Sequence, residues 1–287
     1  MASSEKMMNG KGAMPESPIG VFDSGIGGLT VVSALRELLP NESILYVGDT
    51  ARVPYGGKSP STVQRYSLEI AAHLLEQNCK TLVVACNTAS AVALPVLEQD
   101  LSIEIIGVIG PGAAAAVAAT RNGHIGVIGT RATIKSGAYE SALRALRPDV
   151  RVSARACPLL VPLIEEGWLE SDVTDQVLME YLKPLADNDI DTLVLGCTHY
   201  PLLKPAIARL LGESIVLVDS AQNCAKAVQR LLRRANLQTA SSNVGRLEIA
   251  LTDQPDSFLQ IARDALHLSV GEVQVRAIAA LAAPSSA

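Results

Sequence analysis

Short apolar runs rich in β-branched residues alternate along the chain with longer Ala- and Leu-rich stretches of helical spacing. The runs at Ile19–Phe22, Ser43–Val47, Thr81–Ala85, Ile105–Ile109, Gly123–Ile128, Thr192–Leu195 and Ile215–Val218 read as strands. Leu29–Leu39 and Thr62–Gln77 read as helices between them. Strands that are apolar without alternation are covered on both faces, as in parallel sheets flanked by helices. The predicted fold class is α/β, with doubly wound, mostly parallel central sheets.

The pattern also repeats. Ile19-Gly20-Val21-Phe22 returns as Ile125-Gly126-Val127-Ile128, and Leu82-Val83-Val84-Ala85-Cys86 as Leu193-Val194-Leu195-Gly196-Cys197. Val108-Ile109-Gly110 aligns with Val218-Asp219-Ser220. Three matches in one order at nearly constant spacing predict two pseudo-symmetric halves with a cleft between them. The expected division is a disordered leader at 1–17, a first α/β domain at 18–112 and a second at 113–220. Residues 221–287 cross back to complete the first domain. In that segment a strand is expected at Arg246–Thr252 and a helix at Ser257–Leu268.

Composition narrows the function classes. Hydrophobic residues are 48% and charged residues 18% of 287, which suits a folded chain with a substantial core. Aromatics are 3%, too few for a surface of stacking rings. A formal net charge of -5 gives no basic footprint, so neither nucleic acid nor an acidic membrane is an expected direct partner. The five cysteines, 79, 86, 157, 197 and 224, form no C-x-x-C pair and are odd in number. They read as reduced thiols of a cytoplasmic protein, without a disulfide framework or a metal site. Residues 1–17 (MASSEKMMNGKGAMPES) lack the apolar core of a signal peptide.

In open α/β sheets ligands bind beyond the carboxyl ends of the strands. Cys86 and Cys197 stand there at matching positions of the repeat, each just before an expected helix start. A helix N-terminus favours thiolate, so both are expected to ionise within reach of neutral pH. Taken singly, each reads rather as a small buried hydrophobe, the usual fate of a cysteine. Taken as a pair on opposite sides of one cleft, they suit removal of a Cα proton on one face and its return on the other. Without an electron sink, the carbanion needs hydrogen bonds to the substrate carboxylate. Ser24, Asn87, Thr88 and Thr198 supply that inventory.

The blocks VFDSGIGGLTV, GDTARVPYG, VVACNTASA, CPLLVPLIEEG and LGCTHYPLL, in that order, resemble the signature blocks of the glutamate racemases of the aspartate/glutamate racemase group. The DQPDSF segment near 253–258 is also similar. The resemblance implies a cofactor-independent isomerase that interconverts L- and D-glutamate and supplies D-glutamate for peptidoglycan. It implies Cys86 as the thiol that deprotonates D-glutamate and Cys197 as the one for L-glutamate. It places Asp23 beside the first thiol and His199 beside the second, with Glu165 supporting the histidine, although the neighbouring Glu166 is an open alternative. Asp23-Ser24, Tyr55-Gly56, Asn87-Thr88 and Thr198-His199 match its substrate-binding pairs. Asp49 either touches substrate or positions the Arg52–Gly56 loop. The family also implies a homodimer and, in some members with N-terminal extensions, activation by a cell-wall nucleotide precursor.

Other readings compete. Gly25-x-Gly27 after a strand imitates a dinucleotide-binding fingerprint, but position 30 is Thr, and Asp23 would face a pyrophosphate with the wrong charge. A racemase for aspartate differs only in loop geometry. A regulatory protein on the same scaffold is a third reading, against which both cysteines stand. Gly110 departs from the family, where an acidic or larger residue is common, and is expected to alter a loop near the cleft or an interface.

Overall fold

The computed structural model describes residues 14–253 and 273–275. The expected helix at Ser257–Leu268 and most of the expected leader lie outside the described residues. The strands are β1 (Ile19–Asp23), β2 (Ile44–Gly48), β3 (Thr81–Val84) and β4 (Ile105–Gly107), then β5 (His124–Gly129), β6 (Arg151–Ala156), β7 (Thr192–Gly196) and β8 (Val216–Asp219). β9 (Leu247–Leu251) and β10 (Val273–Val275) follow. They form a six-stranded sheet in the order β10-β9-β2-β1-β3-β4 and a four-stranded sheet in the order β6-β5-β7-β8. Each strand pairing is parallel, with β1 set so that Ile19 faces Ile44 and Thr81, and β5 so that Ile125 faces Val152 and Thr192.

The repeat shows in the topology. The order β2-β1-β3-β4 matches β6-β5-β7-β8 strand for strand. The expected strands sit close to their predicted places, with two omissions, β6 and the short β10. β6 (Arg-Val-Ser-Ala-Arg-Ala) is an edge strand whose residues are exposed or half-buried. An edge strand need not be apolar on both faces, so the run test passes over it. The run expected through Ile109 stops at Gly107, because Ile109 already begins a helix.

Helices cover the sheets: α1 (Leu29–Leu38), α2 (Pro60–Glu76), α3 (Asn87–Val92), α4 (Leu94–Asp100), α5 (Ile109–Ala119), α6 (Arg131–Lys135), α7 (Ala138–Leu146), α8 (Leu160–Glu165), α9 (Asp172–Ala186), α10 (Lys204–Leu211) and α11 (Ser220–Arg234). Their starts are chemically marked. Ser59 accepts from Thr62 N at 3.3 Å before Pro60 opens α2, Ser171 accepts from Thr174 N at 3.2 Å, and Asp219 from Gln222 N at 3.1 Å. α11 buries Ala221, Cys224, Ala225, Val228, Leu231 and Leu232 on one face, while Arg233 and Arg234 occupy its last turn.

Two helices change sides. α5 follows the first sheet, yet its Ile109, Ala113 and Ala116 pack with Ile125, Val127 and Tyr139 of the second half. α11 follows the second sheet, yet its buried face packs with Val21, Leu29 and Leu35 of the first. The expected boundary at 112 and 113 falls inside α5. Gly110 lies on the exposed side of that helix, where a Cβ would meet open space, so the glycine there forms no tight packing.

At the amino end of the first sheet the Lys80 ammonium is buried against Glu42 and donates to the Pro15 carbonyl, while Glu42 Oε1 accepts from Thr239 N at 2.9 Å. This buried pair ties the N-terminal segment, β3 and the chain leading into β9 together. No described helix is long and apolar enough to cross a membrane.

Candidate active site

The carboxyl ends of both sheets open onto one cavity of about 400 Å³. Of the sequence-predicted residues, Ser24, Tyr55, Gly56, Cys86, Asn87, Thr88, Glu165, Cys197, Thr198 and His199 line it. Cys86 follows β3 and caps α3; Cys197 follows β7, the counterpart strand. The two thiols thus reach one cavity from equivalent strand ends of the two halves.

Cys86 is buried, with Sγ 3.5 Å from the Ser24 hydroxyl and accepting from Ala89 N at 3.4 Å. Burial, reinforced by the nearby Asp23 charge, pushes this thiol up to about 12. The expectation that a helix N-terminus brings Cys86 within reach of neutral pH is therefore corrected. The Ala89 N–H pulls the right way, but desolvation outweighs it. Cys197 Sγ lies 3.8 Å from His199 Nδ1. His199 Nε2 lies 3.1 Å from Glu165 Oε1, which identifies Glu165 rather than Glu166 as the histidine's partner. Burial pushes His199 down, yet its bonds to Cys197 and Glu165 prevail and raise it to about 10.

Two predicted residues stand behind the wall. Asp23 is fully buried, and burial holds its carboxyl above the usual range against the His199 charge and the N–H groups of Gly25 and Gly28. Its Oδ2 accepts from Gly25 N at 3.0 Å and its Oδ1 from Thr198 Oγ1 at 3.4 Å. Asp49 accepts from the Tyr55 hydroxyl, from Arg52 Nε at 2.7 Å and from Thr252 Oγ1 at 3.1 Å. It therefore holds the loop that carries Tyr55. Arg52, in turn, pairs with Glu69 and lies 4.0 Å over the Tyr66 ring.

Sequence reasoning missed part of the lining. Thr130 follows β5, and its hydroxyl lies 2.9 Å from those of Thr88 and Thr133, joining the halves across the cavity. Arg131, Pro158, Val161 and Pro162 complete that wall. Thr130 lies just beyond the strand predicted at Gly123–Ile128, so its place at a strand end follows from the sequence; its hydroxyl contacts do not. Gly56 packs on Thr130, where a Cβ would come within 2.8 Å.

The sequence matches the Asp/Glu/Hydantoin racemase family over residues 24–228. The chain belongs to this family. A glutamate racemase of Geobacter metallireducens is 51% identical over 260 residues, 91% of this chain and 96% of that protein. The crystal structure of glutamate racemase isoform RacE1 from Bacillus anthracis superposes with a TM-score of 0.86 at 42% identity, covering 91% of this chain and 97% of that one. That of the Francisella tularensis glutamate racemase in complex with D-glutamate gives 0.87 at 36%, covering 93% and 100%. The resemblance drawn from the sequence blocks is borne out, as are the two-domain α/β class and the assignment to the isomerases as a racemase.

Proposed function

We propose that this racemase interconverts L- and D-glutamate without a cofactor, using Cys86 and Cys197 as paired acid and base on opposite faces of Cα. The observation that carries the reading is that both thiols line one cavity from matching strand ends. The D-glutamate complex of the Francisella relative supports the substrate.

From D-glutamate, the Cys86 thiolate takes the Cα proton while the Cys197 thiol delivers a proton to the opposite face; from L-glutamate the roles exchange. The substrate ammonium supplies the positive charge that a buried Cys86 thiolate needs, and Asp23 stands close enough to act on that thiol. The His199–Glu165 pair carries a proton beside Cys197. Ser24, Asn87, Thr88 and Thr198 offer donors where charge builds on the substrate carboxylate. Asp49 acts through its neighbour Tyr55, and Asp23 also accepts from Thr198. The product serves peptidoglycan synthesis in this reading, in the cytoplasm. Homodimer formation and activation by a cell-wall nucleotide precursor enter it from the family resemblance.

The deciding experiment is a chiral assay of D-glutamate formed from L-glutamate, run on the wild type and on C86A and C197A. Each substitution removes one proton carrier, so racemisation is abolished while circular dichroism is unchanged. Near-normal turnover in either variant refutes the two-thiol mechanism. In deuterated water the inverted product carries deuterium at Cα.

A further inference from the structure

One aromatic side chain outside the cavity wall touches both thiol-bearing strand ends. Tyr139, on α7, is buried. Its ring lies against Gly196, the residue before Cys197, where a Cβ would come within 3.0 Å of the ring. Its hydroxyl donates to Asn87 Oδ1, on the residue after Cys86, at 2.7 Å. Tyr139 is thus anchored in the second half and reaches Asn87 of the first.

The bond has a chemical consequence. An amide group offers one acceptor and one double donor. Because the phenol O–H occupies Oδ1, the Asn87 amide is fixed with Nδ2 as its free end. Nδ2 is buried with no hydrogen-bond partner, on a residue that lines the cavity. A buried donor without a partner is costly unless a ligand satisfies it.

We propose that Tyr139 is a positioning residue that sets the donor face of Asn87 toward the substrate carboxylate. This rests on the glutamate racemase reading above. The carboxylate gains negative charge as the Cα proton leaves, so a donor fixed in advance acts more strongly in the transition state than in the ground state. The effect therefore falls on kcat more than on KM, and in both directions, because Asn87 serves the carboxylate rather than one thiol.

The test is Tyr139→Phe, which keeps the ring in its glycine-walled slot and removes only the hydroxyl. Rates in both directions, glutamate affinity by calorimetry and the melting temperature are measured on the full chain. The expected result is a fall of roughly tenfold in kcat in each direction and a severalfold weaker affinity. In an Asn87→Ala background the same substitution changes kcat less than twofold, because the group it positions is gone. A purely structural role gives equal losses in both backgrounds. Unchanged rates and affinity in Y139F, or additive losses with N87A, overturn the proposal. If the wild type binds glutamate without racemising it, the two-thiol reading fails, while the Y139F affinity still decides the role of Tyr139.

Discussion

His199 keeps its proton because two bonds outweigh burial, one to Cys197 at 3.8 Å and one to Glu165 at 3.1 Å. Its value is raised from 6.5 to about 10, so its contribution to stability is complete below about pH 6.5 and is lost as pH rises through about 10. Glu165→Gln keeps an acceptor but removes the negative charge that favours the imidazolium. The alkaline limb of racemisation then moves to lower pH, which pH–rate profiles of the wild type and E165Q measure. An unmoved limb argues that the carboxylate does not support the imidazolium. His199→Asn strikes the Cys197 side alone, so L-to-D turnover falls more than D-to-L in initial rates measured at matched saturation. Equal losses count against that division of labour. The residues most legible in the sequence were those fixed by strand ends, namely Cys86, Asn87, Thr88, Cys197, Thr198 and His199. Tyr139 left no trace, because its role depends on a long-range contact between α7 and α3 that spacing cannot show.

At the scale of elements, close approach decides which residues the site tolerates. A Cβ at Gly27 would come within 2.4 Å of His199 Nδ1 and 2.5 Å of Thr198 Oγ1. Gly27→Ala therefore displaces two cavity side chains and lowers kcat/KM by about tenfold or more, since small displacements of positioned groups are expensive. Circular dichroism of the variant stays native-like; an unaffected kcat/KM contradicts the contact. The Lys80–Glu42 pair behaves differently, because it lies away from the cavity wall. Removing one partner leaves an uncompensated buried charge, so Lys80→Ala costs roughly 3–5 kcal/mol in urea unfolding, with kcat retained at 25 °C. A loss below about 1 kcal/mol marks the pair as an ordinary surface contact. Strands were legible where both faces are covered, as in β1, β3, β5 and β7, and illegible in β6, whose edge position permits Arg151 and Arg155.

For the whole molecule, the cavity is a joint between halves: Thr88 of one bonds Thr130 of the other, and Tyr139 reaches Asn87. A ligand held there stabilises both halves together. Glutamate at about a hundred times its dissociation constant adds about 2.7 kcal/mol, so scanning calorimetry shows a single transition moved upward by several degrees. Aspartate, one methylene shorter, gives a smaller shift at equal concentration. Two separated transitions, with only one moved by ligand, contradict a site shared by both halves. The repeat in the sequence anticipated this arrangement, since equivalent strands had to end on one side of each sheet.

The crossing of α5 and α11 places a further condition on the chain. Each half wears a helix that the other half's sheet delivers, the geometry of two molecules that traded arms and were then joined into one polypeptide. A first-half fragment ending between α5 and β5 would keep a helix with no seat and lose the one that covers its own apolar face.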